Sequence, residues 1–464
     1  MADPKFAYAN WANTFSCTAE RCFEPETEAE VVDIVRSART HRKEVKVFGA
    51  GHSPSDLPCS SGYMLNLDKL CHVLQVNIAR CTVTVEAGIR LFQLHPVLRK
   101  YGLAISVLGA ISDQSVAGAI ATATHGTGVT FGNMSTMVTK LRLVDGTGAI
   151  VECSADNKPR IFDAARCHIG ALGIITQVTL QCEPAFRLES VQHPIPFDTM
   201  IRDLPQLIQS AEHTKFIWFP YHNNVVISKL NRTTKPISRP PEPWALTQQK
   251  DRFIYELELY ASRFLPSLLP GIEQRLWSRG FNKTIRTVDW SENIFNFDCM
   301  FPQYTTEWAI PQECASQAIQ ALDKALSQAR YPIHFPIEIR FVKQDNVWLS
   351  PSYNQDVCYI GIVVYKPFKS EVTYHALWHD FEKVMRSFRG RPHWAKFHTM
   401  AYEDLVKRYP KLPDFLKVRE ELDPDGIFVN DYIRRHLFPG NIPTLPEQPN
   451  VANQLASRPL KSKL

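Results

Sequence analysis

The sequence lacks the features that mark membrane-spanning and secreted proteins. No run approaches the roughly 20 consecutive apolar residues that a membrane helix needs. The most apolar segment, residues 253–277, contains five charged residues and two prolines, which indicates a pair of surface helices with one apolar face. The N-terminus has no basic region followed by a long apolar run, so no secretory signal is expected.

The numbers of cysteines and glycines and the net charge exclude further classes of protein. The eleven cysteines are odd in number and include no C-x-x-C, so we expect free thiols in a reducing compartment rather than a disulfide or zinc framework. Twenty glycines against 32 prolines fit shaped loops without a flexible or collagen-like repeat. The net charge of +5, from 52 basic and 47 acidic residues, is too small to predict a nucleic-acid partner.

The chain is long enough, at 464 residues, for two or three domains. Residues 14–186 predict one α+β domain, whose first helix begins with capping-box spacing between Thr27 and Glu30. The clearest predicted elements are the helix Thr27–Thr40, the strand Val45–Phe48, the hairpin of Leu141–Val144 with Ala149–Cys153, the helix Ile161–His168 and the strand Ile174–Cys182.

Residues 187–438 predict a second α+β domain, with an antiparallel sheet and helices on one side. A Pro-rich connector at Lys235–Glu242 precedes its amphipathic helices, and residues 439–464 predict a disordered tail. The predicted elements are the hairpin of Phe216–Pro220 with Val225–Leu230, the helix Gln312–Gln328, the strands Ile337–Val342 and Val357–Tyr365, and the helix Thr373–Phe388.

The turn Gly49-Ala50-Gly51-His52-Ser53-Pro54 is the first candidate site. Two glycines after a strand let backbone N–H groups approach a diphosphate closely. His52 could hydrogen-bond a bound dinucleotide or be alkylated by it. Pro54 occupies the place of the third glycine of a Rossmann fingerprint, so that fingerprint is absent. An ordinary strand-to-loop turn with a surface histidine is the alternative.

A run of small residues is the second candidate. It extends from Ser115-Val116-Ala117-Gly118 to Thr124-His125-Gly126-Thr127-Gly128. Small side chains make a good lining for the backbone contacts of a flat ligand, although a tightly packed helix and turn would have the same composition. Gly170-Ala171-Leu172-Gly173-Ile174 is a weaker loop of the same sort.

Two motifs in the second domain carry charge. Glu338 and Arg340 are two residues apart in a predicted strand, so both project from one face. Such a pair could bind a polyhydroxylated substrate and stabilise a developing alkoxide, or it could be a surface ion pair. His393-Trp394-Ala395-Lys396 adds a lysine that could donate to an anionic intermediate or remain a solvated charge.

Together and in this order, the motifs resemble those of the aldonolactone oxidases, FAD flavoproteins of the vanillyl-alcohol-oxidase type, over roughly residues 8–438. The family includes L-gulonolactone oxidases, which the segment 422–430 resembles more, and D-arabinono-1,4-lactone oxidases, which the segment 111–118 resembles more. The resemblance implies an α+β fold with an FAD-binding domain and an antiparallel-sheet cap domain.

The resemblance also implies which residues bind FAD. His52 would be linked covalently, through a ring nitrogen, to the 8α-methyl carbon of the flavin. Catalysis would depend on Glu338, Arg340 and Lys396, and no metal is expected. The remaining cofactor-binding residues would be Phe48, Gly49, Ala50, Gly51, Ser53, Gly109, Ser112, Ser115, Gly118, Thr122, His125, Gly126, Thr127, Gly173 and Ile174.

The implied reaction is the oxidation of an aldono-1,4-lactone at C2 by oxygen, giving an ascorbate-type product and hydrogen peroxide. The sequence leaves the choice of lactone and the proton acceptor open. Gly109 favours oxygen as the acceptor, since the related galactonolactone dehydrogenases look as if they carry alanine there; a need for glycine backbone angles alone is the alternative. A covalent-flavin oxidase of open-chain polyols, an amine dehydrogenase of the cytokinin type and a flavin-binding scaffold without turnover are the other functions considered. The carboxylate–guanidinium pair argues against an amine substrate.

The sequence ends in Ser462-Lys463-Leu464, the form of a peroxisomal address that an import receptor reads. We therefore expect a peroxisomal location. The alternative is membrane association, as in relatives, although the segment 230–280 is more charged here than in the vertebrate enzymes.

Overall fold

Residues 5–238, 249–297, 299–329, 331–334 and 336–444 are described by a computed structural model. The end of the predicted Pro-rich connector lies outside the described residues, as does residue range 445–464, which contains most of the predicted disordered tail and the Ser462-Lys463-Leu464 ending.

The first part of the chain alternates short strands with helices, as its sequence pattern predicts. Its elements are β1 (Phe6–Ala9), β2 (Ser16–Ala19), β3 (Arg21–Phe23), α1 (Glu28–Thr40), β4 (Val45–Phe48), β5 (Tyr63–Asn66), β6 (Val73–Asn77), β7 (Thr82–Glu86), α2 (Leu91–Lys100), β8 (Leu103–Ala104), α3 (Val116–Ala121), β9 (Val138–Val144), β10 (Ile150–Ser154), α4 (Pro159–Ala165), β11 (Ile174–Gln181) and β12 (Glu183–Pro184).

Helix α1 begins where the sequence predicts it. Thr27 is in the extended conformation, and its Oγ1 accepts a hydrogen bond from the Glu30 N–H at 3.2 Å. The Glu30 carboxylate accepts from the N–H of Glu26 at 2.7 Å instead of that of Thr27, so the returning half of the capping box is displaced by one residue. The buried stripe of the helix is Val31, Val32, Val35 and Ala38.

Beside the two-stranded sheets β1–β2 and β8–β12, two larger sheets organise this part of the described chain. Strands β3, β5 and β4 form a parallel sheet in that order, and the glycine turn leaves the carboxyl end of β4. The other sheet is antiparallel, with the order β10-β9-β11-β7-β6. The predicted hairpin is confirmed, with Val144 of β9 opposite Ile150 of β10.

The second part is built on one large sheet. Its elements are β13 (Arg187–Pro196), α5 (Phe197–Leu207), β14 (His213–Phe219), β15 (Asn224–Thr233), α6 (Gln249–Ser262), α7 (Leu269–Gly280), β16 (Ile285–Trp290), α8 (Ser291–Phe295), β17 (Gln303–Pro311), α9 (Ala315–Ala329), β18 (Ile337–Val342), β19 (Val357–Tyr365), α10 (His375–Ser387), β20 (Arg391–Pro392), α11 (Tyr402–Arg408), α12 (Leu412–Leu422) and α13 (Asp431–Leu437).

The large sheet has eight antiparallel strands in the order β16-β13-β15-β14-β18-β19-β17-β20, which confirms the predicted antiparallel sheet. Strands β13 and β17 carry no clear signal in the sequence, because prolines and polar residues obscure their alternation. Their ten and nine residues nevertheless pair along their length with β15 and β19.

The register of the central strands fixes the positions of three residues. Gly361 of β19 lies opposite Glu338 of β18 on one side and opposite Glu307 of β17 on the other. Residues in register project from the same face of a sheet, so the two carboxylates flank a position with no side chain. Arg340, two residues after Glu338, shares this face.

The C-terminal helices return to the first part of the chain. The Val45 N–H of β4 donates to the carbonyl oxygen of Ile427 at 2.7 Å. The side-chain amide of Asn430 donates to the carbonyl oxygens of Leu57 and Cys59 at 3.0 and 2.8 Å. The segment that follows α12 therefore closes the loop beyond the glycine turn.

The thiols and the surface agree with the sequence analysis. All eleven cysteines are free thiols. Among the described residues, no helix combines the length and the apolar character that crossing a membrane requires. The predicted apolar face of the surface helices is present, with Phe253, Leu257, Phe264 and Leu265 each about half exposed.

Candidate active site

A cavity lies beside β4 and the turn that follows it. We call it the glycine-loop cavity, because the glycine turn, the start of α3 and the loop before β11 form its walls. The predicted cofactor-binding residues that line it are Phe48, Gly49, Ala50, Gly51, His52, Ser53, Ser115, Gly118, Thr122, Gly173 and Ile174. The fold thus brings three separate sequence segments to one cavity.

The first two glycines of the turn are explained by the close approach of Gly49 to Ser115 and by the backbone conformation of Gly51. A Cβ at Gly49 would lie 2.5 Å from the Oγ of Ser115, which caps α3 by accepting from the Gly118 N–H. Gly51 has φ +66°, a conformation that favours glycine. Its carbonyl oxygen accepts a hydrogen bond from the N–H of Trp11 at 2.8 Å. The turn can therefore lie against α3 only while it carries no side chains there.

The walls of this cavity fit FAD, the cofactor that the resemblance implies. A glycine turn with accessible N–H groups suits a diphosphate. The hydroxyl of Tyr8 and Oε1 of Gln114 are buried without a hydrogen-bond partner in the described part of the chain, and both residues line the cavity. Buried polar atoms are normally paired, so a ligand with hydrogen-bonding edges would complete this wall.

His52 lies where the glycine-loop cavity meets a second cavity. It lines both of them, as do Ser53 and Gln114. Its ring stacks on that of Trp11, with centroids 5.2 Å apart and 29° between the planes. Burial lowers the pKa of His52, so the imidazole is neutral near pH 7 and one of its ring nitrogens keeps a free electron pair.

The second cavity lies on the face of the eight-stranded sheet that carries Glu338. We call it the sheet cavity. The predicted residues that line it are His52, Ser53, Gly109, His125, Glu338, Arg340 and Lys396. Its walls also contain chemically active residues that the sequence motifs do not mark, above all Glu307 of β17.

Glu338 and Arg340 form the predicted pair. Nη2 of Arg340 lies 2.5 Å from Oε2 of Glu338. Arg340 is 8% exposed, and its Nε has no hydrogen-bond partner among the described residues. Burial opposes its charge, but the carboxylates of Glu338 and Glu307 raise the pKa of Arg340 above its ordinary value. The guanidinium therefore stays charged and keeps a donor for a ligand.

Glu307 forms a second charge pair, with His125. Nδ1 of His125 lies 2.9 Å from the carbonyl oxygen of Gly126, and Nε2 lies 3.3 Å from Oε1 of Glu307. Both ring nitrogens of His125 thus face acceptor oxygens. Burial opposes ionisation of Glu307, but the charge and hydrogen bond of His125, with the charge of Lys396, hold the pKa of Glu307 well below its usual range.

The His393-Trp394-Ala395-Lys396 segment consists of three buried residues followed by the half-buried Lys396. His393 Nδ1 accepts from the Ala395 N–H at 3.1 Å, and the His393 N–H donates to the carbonyl oxygen of Glu307 at 3.0 Å. Burial lowers the pKa of His393 to about 3, so it is neutral. These bonds tie the loop to β17 and bring the half-buried Lys396 to the sheet cavity.

The side-chain donor atoms of His125, Glu307 and His393 lie within 4.8 Å of one another, a spacing that a metal ion could bridge. Arg340 and Lys396, however, act on the same carboxylate. Two cations beside the cluster disfavour a third, so we interpret the cluster as a hydrogen-bonded charge pair with a neutral histidine.

Lys215 of β14 is another residue that the sequence does not mark. Its Nζ lies 4.0 Å from Oε1 of Glu338 and 5.1 Å from the centroid of the Phe297 ring. Burial lowers its pKa, while Glu338 opposes that shift. Glu338 therefore lies between two basic side chains, Lys215 and Arg340, which restrict its carboxylate.

Three predicted cofactor-binding residues line neither cavity. The hydroxyl of Ser112 accepts from the side-chain amide of Asn296 at 2.7 Å. A Cβ at Gly126 would lie 2.5 Å from the Val107 side chain, so Gly126 serves close packing. The hydroxyl of Thr127 donates to the carbonyl oxygen of Thr214 at 2.5 Å and accepts from the Phe341 N–H, which joins the two parts of the chain.

Comparison with known proteins gives consistent matches to both parts of the chain. A family model described as D-arabinono-1,4-lactone oxidase matches residues 178–436, and one described as an FAD-binding domain matches residues 19–154. The L-gulonolactone oxidase of Scyliorhinus torazame is 39% identical over 434 residues, which cover 93% of this chain and 98% of that protein.

A relative with a different name and a solved structure complete the comparison. The L-gulono-1,4-lactone dehydrogenase of Mycobacterium tuberculosis is 33% identical over 434 residues, covering 93% of this chain and 99% of that protein. A solvent-stable cholesterol oxidase superposes with a TM-score of 0.76 at 18% identity, over 92% of this chain and 97% of that chain. At this identity the superposition establishes the fold alone.

Proposed function

Because the chain belongs to the aldonolactone oxidase family of FAD flavoproteins, we propose that it oxidises an aldono-1,4-lactone at C2 with oxygen as the acceptor. The product would be a 2-keto lactone that tautomerises to an ascorbate-type ene-diol, with hydrogen peroxide as the second product. L-gulono- and D-arabinono-1,4-lactone are the two substrate candidates that the names of the matched family and relative supply.

One observation carries the proposal. The wall of the glycine-loop cavity at His52 is also a wall of the sheet cavity, which presents Glu338 and Arg340. A cofactor in the first cavity would thus have one end at a site equipped for a hydroxylated, carbonyl-bearing substrate. When bound, FAD would supply the acceptor for the substrate hydride and pass the two electrons on to oxygen.

Arg340 would stabilise the C2 oxygen as the hydroxyl loses its proton. Its guanidinium is charged and buried, and its Nε has no partner in the described chain. Hydrogen bonds to developing negative charge are strongest in such water-poor sites. Glu338 would hold Arg340 in position and accept hydrogen bonds from the substrate hydroxyls, and Lys396 would add a second cation at the rim.

His125 and Glu307 would complete the electrostatics of the sheet cavity. The ring of His125 stacks on that of Tyr359, with ring centroids 3.5 Å apart. Its Nε2 lies 3.3 Å from Oε1 of Glu307, so the carboxylate fixes the orientation of the ring. Because this pair is balanced, Arg340 and Lys396 against Glu338 leave the cavity an excess of positive charge, which favours an alkoxide or an ene-diolate over a neutral alcohol.

We propose further that His52 carries the flavin covalently. The neutral, buried imidazole has the nucleophilic nitrogen that such a link needs, and it lies at the junction of the two cavities. His52→Ala is expected to bind FAD without a covalent link, so that acid releases its flavin, because the variant keeps the glycine turn that suits a diphosphate. Acid-stable flavin in this variant would contradict the assignment, and the native protein processed in parallel is the control.

The lactone reaction is tested by anaerobic mixing of the yellow protein with a panel of aldonolactones. We expect bleaching of the flavin by at least one lactone, and oxygen uptake with peroxide formation when air is admitted. Open-chain polyols and a sterol form the control set. Bleaching by a polyol or sterol without bleaching by any lactone would contradict the proposal, and coloured protein that no substrate bleaches would point to a flavin-binding scaffold.

We also propose a peroxisomal location, because Ser462-Lys463-Leu464 has the form of a peroxisomal address and because peroxide formation suits a compartment that disposes of it. A fluorescent protein fused to the N-terminus should give a punctate pattern that coincides with a peroxisomal marker, and removal of Leu464 should make it diffuse. A membrane pattern that survives this truncation would favour the exposed apolar face of α6 as the determinant instead.

A further inference from the structure

Lys46 of β4 is a buried lysine that the proposed reaction does not use. It lies three residues before the glycine turn and is 2% exposed. It belongs to the wall of the glycine-loop cavity, together with Gly170 and Phe428. Lysine is almost never buried to this degree unless its ammonium has a charged partner.

The known partner of Lys46 is neutral. Its Nζ donates to the carbonyl oxygen of Gly170 at 3.0 Å. An ammonium has three N–H donors, so this bond uses one of them in the described part of the chain. Gly170 has φ +69°, and a Cβ there would lie 3.5 Å from Nζ, so the amine lies directly over the glycine.

The charged groups around Lys46 are already engaged. The titratable residues that face it are Glu44, Asp423, Arg434 and His168. Glu44 forms an ion pair with Arg434, with 3.2 Å between Nη2 and Oε2. The Asp423 carboxylate accepts hydrogen bonds from two backbone N–H groups of its own loop, and burial keeps His168 neutral by lowering its pKa to about 3.

Burial lowers the pKa of Lys46 to about 7, although Glu44 and Asp423 oppose the shift. The cavity therefore holds an amine that is charged only in part at neutral pH. An anion in the cavity would restore the charge, because an opposite charge within a few ångströms favours the protonated form. The glycine turn that follows β4 is suited to a diphosphate.

We propose that Lys46 is a cofactor-binding residue whose ammonium pairs with the diphosphate of bound FAD. The inference depends on FAD binding and not on the identity of the lactone. The alternative role for Lys46 is to support the Gly170 loop through its hydrogen bond.

The proposal has a pH dependence whose sign follows from linkage. Without FAD the pKa of Lys46 is about 7, and the diphosphate would raise it, so FAD binding takes up a proton above that pH. FAD affinity is then full below about pH 7 and declines as the pH rises toward the higher pKa of the complex. The decline is limited to about tenfold per pH unit, because one proton is involved.

The test is a titration of the protein with FAD at about pH 6.5 and at about pH 8.5, in which binding is monitored by flavin fluorescence. His52→Ala is the parent protein, so that the flavin can dissociate. Lys46→Met is expected to weaken FAD binding at the lower pH by about 10- to 100-fold, as for loss of a hydrogen bond to a charged group, and to abolish the pH dependence. Lys46→Arg stays charged at both pH values and should bind as tightly at the higher pH as at the lower.

Riboflavin, which has no phosphate, is the control ligand and should bind to parent and variants with equal affinity. If the Lys46→Met protein does not fold, the Lys46→Arg profile alone decides: a loss of affinity at high pH equal to that of the parent overturns the proposal. So does FAD binding by Lys46→Met that matches the parent at both pH values. If binding of riboflavin and binding of FAD are weakened equally, Lys46 supports the Gly170 loop, and the proposal is again overturned.

Discussion

Two pairs of opposite charge lie in the sheet cavity. Arg340 is paired with Glu338, and His125 is paired with Glu307. A buried charge that loses its partner costs more than the pair contributes to stability. Each residue is therefore tested with a second variant beside the first, so that the role of its charge is separated from the role of its side-chain shape.

Arg340→Ala is expected to slow flavin reduction by the lactone by roughly 10²–10³, the usual effect of removing one donor to a developing oxyanion. The measurement is the rate of bleaching in an anaerobic stopped-flow experiment. Arg340→Lys is the matched control, since it keeps a charge without the planar fork and should retain part of the rate. Near-native reduction by Arg340→Ala would assign the guanidinium to another task.

Glu307→Gln should lower the rate of flavin reduction by about 10- to 100-fold, because His125 and Lys396 lose the carboxylate that faces them and a charged hydrogen bond is removed. Glu307→Asp keeps the charge and should recover part of the rate. Both variants are compared at saturating lactone, so that an effect on binding is separated from an effect on turnover. Native kinetics for Glu307→Gln would mean that the His125 charge does not assist the reaction.

Gly109→Ala tests the choice of electron acceptor. Gly109 lines the sheet cavity, and a Cβ there would lie 2.7 Å from Cγ2 of Thr124 and 3.4 Å from Oε1 of Gln114. The extra methyl group should narrow the space beside Gly109 in the sheet cavity, since protein interiors have few voids that could take it up. We expect slower reoxidation of the reduced flavin by oxygen, with reduction by the lactone largely intact. Unchanged rates in both half-reactions would mean that Gly109 does not control oxygen access.

Among the elements, the three central strands of the large sheet determine the shape of the site. Strand β19 contributes Gly361 between Glu338 and Glu307, so the carboxylates are held apart by backbone pairing and the space between them stays open. The edge strand β20 then ties the loop with Lys396 to β17, through the pairing of Trp308 with Pro392. The separation of the charged groups is therefore fixed by strand register.

Gly361→Leu should block this space without unfolding the sheet. The nearest atoms to a Cβ at Gly361 belong to Glu307 at 3.6 Å, an ordinary contact, so a side chain can be accommodated at its base and would extend into the sheet cavity. We expect a large loss of lactone affinity, with the flavin spectrum and melting temperature close to native. Gly361→Ala is the control, with a small effect on KM. A native KM for Gly361→Leu would mean that the lactone does not occupy the space between Glu338 and Glu307.

For the whole molecule, buried histidines link stability to pH. Burial lowers the pKa of His213, His334 and His436 to about 4, 4 and 3. The unfolded chain, with histidine pKa values near 6.5, binds more protons below that pH, so stability falls as the pH drops from about 6.5 toward these values. Above about pH 7 these groups contribute no slope.

Thermal unfolding should therefore show a melting temperature that declines steeply as the pH falls below about 6.5. His334→Gln should reduce the steepness, because the glutamine can still donate to the carbonyl oxygen of Tyr365 but cannot take up a proton. His379→Gln, at an exposed position, is the matched control. A melting temperature that stays constant down to about pH 5 would contradict this account.

Local sequence patterns predict most of the elements and the motifs of the site. Strands β4, β18 and β19 and the hairpin β9–β10 lie where their patterns predict them, because period-two apolar residues and turn residues are local signals. The Glu338–Arg340 pair also follows from local geometry, since residues two apart on a strand share a face. His52 was recognisable because it directly follows a glycine turn.

Long-range packing determines which distant residues meet. Glu307 lies in a strand without a clear pattern, and its contact with His125 joins segments that are far apart in the chain. Lys46 occupies an ordinary strand position in the sequence, and only the cavity reveals its burial. Ser112 and Thr127 lie in cofactor-like motifs, yet their hydroxyls bond to Asn296 and Thr214. Charge pairing and burial depend on long-range packing, and a single sequence has no local signal for either.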